Sequence, residues 1–399
     1  MVFVLGTFIS LFCTTCDRQK PPIASHTLTP STTVTTPPAP SILPPDRGYT
    51  VIDESKQAKF TVESKQVFQI AHLPQSSVKF NAQDLLTVLT NTRQYFRDQA
   101  AADPDISREG ILGIQGVTVR DVIDTLDFTI ETLEEDIANH QPIRLQDPKF
   151  ISAHFQVFKW HAFHPRLTTK ATQAQNSKPI RLTKYAVFSY PGSRTRSAEF
   201  NVGIYALKPG TDSDQVRLKY TKQEVLSNIY EPGGKEFGQV APLAYLTREG
   251  LESALMEGTI RVTFADGTSA FFNVDRHNGI PFVKGLKPTE QKRYWYFQPV
   301  DHIKGYGHTI ETKIPIEPGV TFAGDVLNIG LGKIVITEHT RSGEKQLQMG
   351  IIADTGGAFL PNLHQLDFLA GIFATHQEYT NYIRTLPEYT QAYILVKKR

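Results

Sequence analysis

Between Met349 and Phe373 the chain reads MGIIADTGGAFLPNLHQLDFLAGIF. An apolar run ends at Asp354, two glycines follow at Gly356 and Gly357, and a second acid, Asp367, sits between Leu366 and Phe368. Carboxylates seldom occupy apolar runs without a partner or a task. Withdrawn from water in a concave site, such a group has a raised pKa and holds a proton near neutral pH, as a general acid must. The paired glycines let backbone amides approach a ligand or take up positive φ. A third acid, Asp325, lies in the glycine-flanked stretch GVTFAGDVLNIGLG, Gly319 to Gly332, where it can organise a turn or orient a neighbour. Three separated carboxylates near strand ends suit glycoside cleavage, which needs a proton donated to a poor leaving oxygen. Asp354 also has a plainer reading, as the cap of a turn at Gly356 or Gly357. The residues alone do not name the sugar.

Strands must carry these acids, and period-2 alternation predicts them over much of the chain after Ile151. Candidates are His154 to Trp160, Tyr185 to Tyr190, Phe200 to Leu207, Arg293 to Phe297, Lys333 to Glu338, Gln346 to Ile352 and Gln391 to Val396. TIRVTFADGTSAFF, Thr259 to Phe272, reads as a hairpin, since Asp266-Gly267 favours a type I′ turn. Two helices precede the strands. One runs from about Asn81, a plausible cap, to Ala101, with Leu85, Leu86, Val88, Leu89, Tyr95 and Phe96 at helical spacing. The other runs from Thr118 to about Glu135, where Thr118 and Asp121 form a capping box with Asp in place of Glu or Gln. Its own carboxylates read as helix solvation.

At 399 residues the chain exceeds what one core usually supports, roughly 250 residues. A charge of +2, from 42 basic and 40 acidic residues, gives no global field that would draw it to nucleic acid. No GxGxxG, GxxxxGK[ST] or HExxH sequence is present and the histidines are scattered, so neither metal nor organic cofactor is implied. The only cysteines, Cys13 and Cys16, follow the apolar run MVFVLGTFISLF, which has the length of an export-signal core and is too short to span a bilayer. That context argues against a redox CxxC and makes either cysteine a candidate for lipid attachment. Residues 1–16 are therefore read as an export signal and 17–47, rich in Pro, Thr and Ser, as a disordered tether.

With these motifs in view, the chain resembles the membrane-bound lytic murein transglycosylase A family, which carries a C-terminal three-aspartate domain. GVTFAGDVLNIGLGKIVI resembles the pattern around the family's first aspartate, ADTGGAF the second, and LHQLDFLAGIF the segment with the third; QAYILVKK resembles the closing strand. RLTKYAVFSYPGSRTRSAEFNVGIYALKP is similar to the substrate-groove segment, with Thr183 and Tyr185 at the matching groove positions. LESALMEGTIRVTFADGTSAFFNVDRHNGIPF is similar to a later stretch holding a DG hairpin. The similarity runs from about Leu145 to Arg399 with its pieces in order. Departures are Lys184 and Ala186 in the groove segment, Gly324 before Asp325, and Leu360-Pro361 after the paired glycines.

The resemblance implies a mainly β fold, a double-psi β-barrel lobe plus a smaller β-rich lobe, with helices near the N-terminus. Residues 48–190 would hold the helices and the first part of the barrel, 191–291 the second lobe, and 292–399 the three-aspartate part. It implies lytic cleavage of peptidoglycan glycan strands at the bond between N-acetylmuramic acid and N-acetylglucosamine, leaving 1,6-anhydromuramoyl ends. Asp367 would be catalytic, Asp354 and Asp325 supporting, and Thr183, Tyr185, Gly356 and Gly357 substrate-binding. The chain would be exported to the cell envelope, in the periplasm or at the inner face of the outer membrane, attached through a lipidated Cys13 or Cys16. Two other readings remain open at this point: a hydrolytic glycosidase using water and a second carboxylate, and a non-catalytic peptidoglycan-binding protein.

Overall fold

The computed structural model describes residues 48–53, 60–164, 178–208, 213–341, 344–356 and 361–399. The expected export signal with Cys13 and Cys16, the tether at 17–47, and Gly357 lie outside the described residues. Helix α1 (Ala82–Gln99) starts where the Asn81 side chain accepts from the backbone N–H groups of Gln83 and Asp84 at 3.0 and 3.2 Å. Helix α2 (Val119–Ala138) starts at a reciprocal pair: Thr118 N–H donates to Asp121 at 2.9 Å, and Asp121 N–H donates to the Thr118 hydroxyl at 3.2 Å. Asp thus closes the box that Glu usually closes. Both helices bury one apolar face; Leu85, Leu89, Leu126, Ile130 and Leu133 are all fully buried in the same core.

The strands that matter for the site are β1 (Phe155–Trp160), β2 (Ile180–Ser193), β3 (Val202–Leu207), β4 (Val240–Leu246), β5 (Thr259–Phe264), β6 (Ser269–His277), β7 (Trp295–Val300), β8 (Thr321–Ala323), β9 (Ile334–Arg341), β10 (Glu344–Asp354), β11 (Gln365–Phe373) and β12 (Tyr389–Lys397). Six of them close a ring in the order β2, β11, β8, β10, β9, β12 and back to β2. Pairing is parallel between β2 and β11 and between β8 and β10, and antiparallel elsewhere in the ring. Strand β1 adds to the outer edge of β12, and α2 is tied to the same strand by Lys397 N–H donating to the Thr125 hydroxyl at 2.9 Å.

Strand β2 belongs to two layers. Its residues Arg181 to Phe188 pair with β11, whereas Ser189 to Gly192 pair with β5, which leads on to β6 and β7. The first part shares the core that holds Trp160, Phe322 and Phe368; the second part borders another, holding Ile260, Tyr294, Tyr296 and Phe297. One continuous strand therefore fixes the distance and twist between two cores.

The structure corrects the expected fold class. Among the described residues 29% are helical and 33% are in strands, a mixed α/β chain rather than a mainly β one. The six strands form a ring, not a double-psi β-barrel, and its closure between β2 and β12 rests on two residue pairs, Arg181↔Tyr389 and Ile180↔Thr390. Alternation reveals a strand but is silent on the polar segments between strands. Several of those segments are short capped helices: Lys222–Val225 behind a Thr221/Glu224 capping box, Arg248–Ala254 behind Thr247, and His376–Ile383 behind Thr375. The 266–267 turn differs too. Gly267 has φ +81°, Asp266 is not at positive φ, and Gly267 N–H bonds to Phe264 O at 3.0 Å, so the loop is a longer turn with glycine in the left-handed position rather than type I′. Among the described residues no helix is long and apolar enough to cross a membrane.

Candidate active site

Strand β8 is three residues long, and its last residue organises the site. Ala323 is paired with Asp354 on β10 and with Asp367 on β11, and Asp367 is paired in turn with Thr183 on β2. Thr183, Asp367, Ala323 and Asp354 thus form one row across four neighbouring strands, where side chains share a face. Two strand spacings put the backbones of the two acids about 10 Å apart, with only a methyl group between them. The preceding row, Phe322 and Phe368, points the other way and is buried, 1% exposed at each residue, with ring centroids 5.5 Å apart. Strand alternation therefore explains how an acid sits in LDF: Leu366 and Phe368 face the core while Asp367 faces the opposite side.

That side is a cleft of about 590 Å³. Asp354, Asp367 and Tyr185 line it from the ring, Glu257 and Asn273 from the second core's elements, and Lys313 from the hairpin that follows β7. Burial pushes the Asp367 carboxyl up to about 6, against the lowering influence of the Thr183 hydroxyl and the Lys184 ammonium. Its Oδ1 is shut off from solvent and has no hydrogen-bond partner among the described residues. Burial also pushes Asp354 up to about 6, opposed by Tyr185, whose hydroxyl donates to its Oδ2 at 2.7 Å, by the Thr355 N–H, which donates to Oδ1 at 2.8 Å, and by Lys313. Asp367 is close enough to Asp354 for its charge to raise that pKa further. The cleft floor holds two carboxyls, each able to exist protonated near pH 6, one of them with an oxygen not yet committed.

Of the residues singled out by sequence, Asp354, Asp367, Tyr185 and Gly356 line the cleft. Asp325 does not, although Ala323, Val326 and Leu327 around it do. It is fully buried, accepting from Asn328 N–H at 3.0 Å, Asn328 Nδ2 at 2.8 Å and Asn362 N–H at 2.8 Å, and so pins the turn after β8 to the segment that leads into β11. No bond joins Asp325 to Asp354 or Asp367 among the described residues. The Thr183 hydroxyl donates to Leu366 O at 3.2 Å and accepts from Gln365 Nε2 at 2.9 Å, which places it beside Asp367 rather than along the cleft wall. Tyr185 commits its hydroxyl to Asp354.

Sequence reasoning missed Glu257 and Lys313. Glu257 lines the cleft and accepts from Phe188 N–H at 3.2 Å and from the Tyr190 hydroxyl; burial pushes it up to about 7. The only local signal for either residue is a charge beside a loop, which most surface positions share. Asp103, Asp105 and His308 bring candidate ligand atoms within 4.8 Å of one another at the cleft's edge. Asp103 already accepts from the Tyr95 hydroxyl at 2.9 Å and from Asp105 N–H at 3.0 Å, and pairs with His308 at 3.0 Å, so internal hydrogen bonds account for the cluster.

No protein-family model matches the chain, and no curated protein matches it. Solved structures do. The chain is similar to a membrane-bound lytic murein transglycosylase from Agrobacterium tumefaciens, with a TM-score of 0.55 and 15% identity over 83% of this chain and 98% of that one. It is similar to Escherichia coli MltA with bound chitohexaose, with a TM-score of 0.51 and 16% identity over 83% and 94%. It is also similar to MltA from Neisseria gonorrhoeae, with a TM-score of 0.51 and 15% identity over 88% and 96%. At these identities the likeness establishes a shared fold over most of the chain.

Proposed function

We propose that this chain is a lytic transglycosylase of peptidoglycan, cleaving between N-acetylmuramic acid and N-acetylglucosamine with Asp367 as both acid and base. The observation that carries the reading is the state of Asp367: a carboxyl held near pKa 6 by burial, on the floor of a cleft, with one oxygen unpartnered among the described residues. Support comes from the shared fold, since one structure that shares it is a membrane-bound lytic murein transglycosylase and another, Escherichia coli MltA, holds chitohexaose.

Protonated Asp367 donates to the glycosidic oxygen as the bond to C1 breaks. The carboxylate so formed takes the proton of the muramoyl C6 hydroxyl, and O6 closes on C1 to give the 1,6-anhydro end. One carboxyl serves both steps because the nucleophile is internal and no water needs activation. Asp354, held by Tyr185 and Thr355, supplies negative charge beside C1. The reading also places the protein in the cell envelope, in the periplasm or at the inner face of the outer membrane, anchored through Cys13 or Cys16.

Glu257 favours one second reading. A further carboxyl lining the same cleft, with a pKa near 7, is a candidate to activate water, which makes the reaction hydrolysis. Mass spectrometry of soluble products from purified peptidoglycan separates the two. Anhydromuramoyl ends that disappear with Asp367→Asn support the lytic reaction; reducing muramoyl ends that disappear with Glu257→Gln support hydrolysis. Tight binding without any product points to a wall-binding protein.

A further inference from the structure

Three basic side chains line the cleft, Lys304, Lys313 and His308, and they are not equivalent. Lys304 is paired with Asp301 at 2.8 Å, and His308 contacts Asp103 at 3.0 Å. Lys313 has no carboxylate within 4.0 Å among the described residues. Its ammonium donates to Asn273 Oδ1 at 3.0 Å, and Asn273 is itself held by donating to the Thr259 hydroxyl at 2.7 Å. An ammonium has three N–H donors, so two remain for a ligand. Undescribed residues 357–360, next along the chain from Asp354, Thr355 and Gly356 at the cleft, carry no acidic side chain.

The lysine is also rigidly placed. Its hairpin is locked by Gly305 N–H to Ile314 O and Ile314 N–H to Tyr306 O, both at 2.8 Å, and Tyr306 N–H reaches Ala353 O at 2.9 Å, one residue from Asp354. A side chain on Gly307 would meet the Lys313 Cα at 2.6 Å, so the two arms of the hairpin touch at that point. Burial lowers the Lys313 pKa, and the attractions of Asp354 and Asp275 only partly offset this. A half-buried cation with spare donors and no close counter-ion gains most from an anionic ligand that replaces the water it has lost.

Resting on the murein reading, we propose that Lys313 is a specificity residue that binds a carboxylate of the glycan, namely the lactyl carboxylate that a muramoyl residue exposes once its peptide has been removed. The preferred substrate is then the peptide-stripped strand, and an amide-cleaving reaction that releases the peptide must act before this one. A strand still carrying peptide presents an amide carbonyl at the same place, which accepts one hydrogen bond and brings no charge.

The test uses full-length Asp367→Asn protein, which binds without turnover, and calorimetric titration with three probes of equal length. These are a peptide-free muramoyl oligosaccharide, the same compound with its lactyl carboxylates converted to methylamides, and a neutral N-acetylglucosamine oligomer. The free carboxylate is expected to bind about tenfold tighter than the methylamide. Lys313→Met in the same background should shrink that ratio to below about twofold, and Lys313→Arg should keep it. Equal affinity for carboxylate and methylamide overturns the inference even if Lys313→Met fails to fold, and so does a ratio that survives Lys313→Met. Equal affinity for all three probes assigns Lys313 to a neutral acetamido carbonyl instead. Binding to none of the three overturns the murein reading itself.

Discussion

Asp325 and Asp367 are both carboxyls that burial pushes up to about 6, yet they sit in opposite situations. Around Asp325 every advantage of the charge is used: two N–H groups and a side-chain amide converge on it, and the turn from Asp325 to Asn328 is built on those bonds. Around Asp367 an oxygen is left unpartnered among the described residues and the group faces a cleft. A raised pKa is therefore common to a structural and a candidate catalytic acid, and what tells them apart is whether the hydrogen-bonding capacity is spent. Sites that hold a group ready for a substrate carry a stability cost that well-satisfied cores do not.

The sharpest test of that contrast is a pair of substitutions with opposite signs. Asp367→Asn should lower the rate of product formation about a thousandfold, the loss typical of a missing general acid and base. Both folded carboxyls have pKa values above the ordinary 3.8, so each binds its proton more tightly folded than unfolded. The stability this gives is complete below about pH 3.8 and is lost as the pH rises through about 6. At pH 7 Asp367→Asn removes a buried charge, so thermal melting should show a gain of about 1–2 kcal/mol. For the unsubstituted enzyme, kcat should fall as pH rises above about 6, when Asp367 loses the proton it donates.

Asp325→Ala, by contrast, strands three donors in a buried turn and should cost about 3 kcal/mol at pH 7, read from urea midpoints at unchanged m-value. A catalytic loss without unfolding in this variant would collapse the distinction. Lys333 tests it from another side. Fully buried and away from the cleft, its Nζ has no hydrogen-bond partner among the described residues, and burial pushes its pKa down to about 8. An orphaned charge is here not matched by a cavity. Below pH 8 the amine is protonated in folded and unfolded chains alike and its cost is complete; the cost is relieved as pH rises from about 8 to about 10.4. Lys333→Met should therefore raise stability by about 2–3 kcal/mol at pH 7 with no change in activity, and by less above pH 9. A loss of activity would show that the orphaned amine serves the site.

How far the sequence reached follows the same logic of local against distant causes. The two long helices were legible because Asn81, Thr118 and Asp121 signal their starts within one turn, and the strands because alternation is local. That Asp354 and Asp367 belong to one site was read only from the resemblance, and their pairing with Ala323 was not legible, since residue spacing alone does not reveal pairing with a three-residue strand. The ring was not legible: its closure joins Arg181 to Tyr389 across more than two hundred residues by pairs that carry no special pattern. For Asp325 the sequence left two tasks open, organising a turn or orienting a neighbour, and only the folded chain shows its side chain capping the turn to Asn328. Lys313 and Glu257 were invisible because a lone charge acquires meaning only from what the fold places opposite it.

Tyr185 gives the smallest expected effect and the finest discrimination. The family resemblance makes it a groove residue, whose ring would cover a sugar face, whereas its hydroxyl donates to Asp354 at 2.7 Å. Phenylalanine keeps the ring and removes only that bond. If the ring is what matters, Tyr185→Phe leaves kcat and KM nearly unchanged, and only Tyr185→Ala raises KM. If the hydroxyl holds the Asp354 charge, Tyr185→Phe moves the Asp354 pKa further above 6, because a donor to the ionised form has been lost. Asp354 then stays neutral to higher pH and repels the Asp367 carboxylate less, so Asp367 gives up its proton at lower pH. The expected outcome is a fall in kcat of about fivefold at unchanged KM, with the alkaline limb of the kcat profile displaced a few tenths of a unit toward acid. An alkaline limb that does not move would mean that Asp354 and Asp367 titrate independently, and the row through Ala323 would then be two separate acids rather than one coupled site.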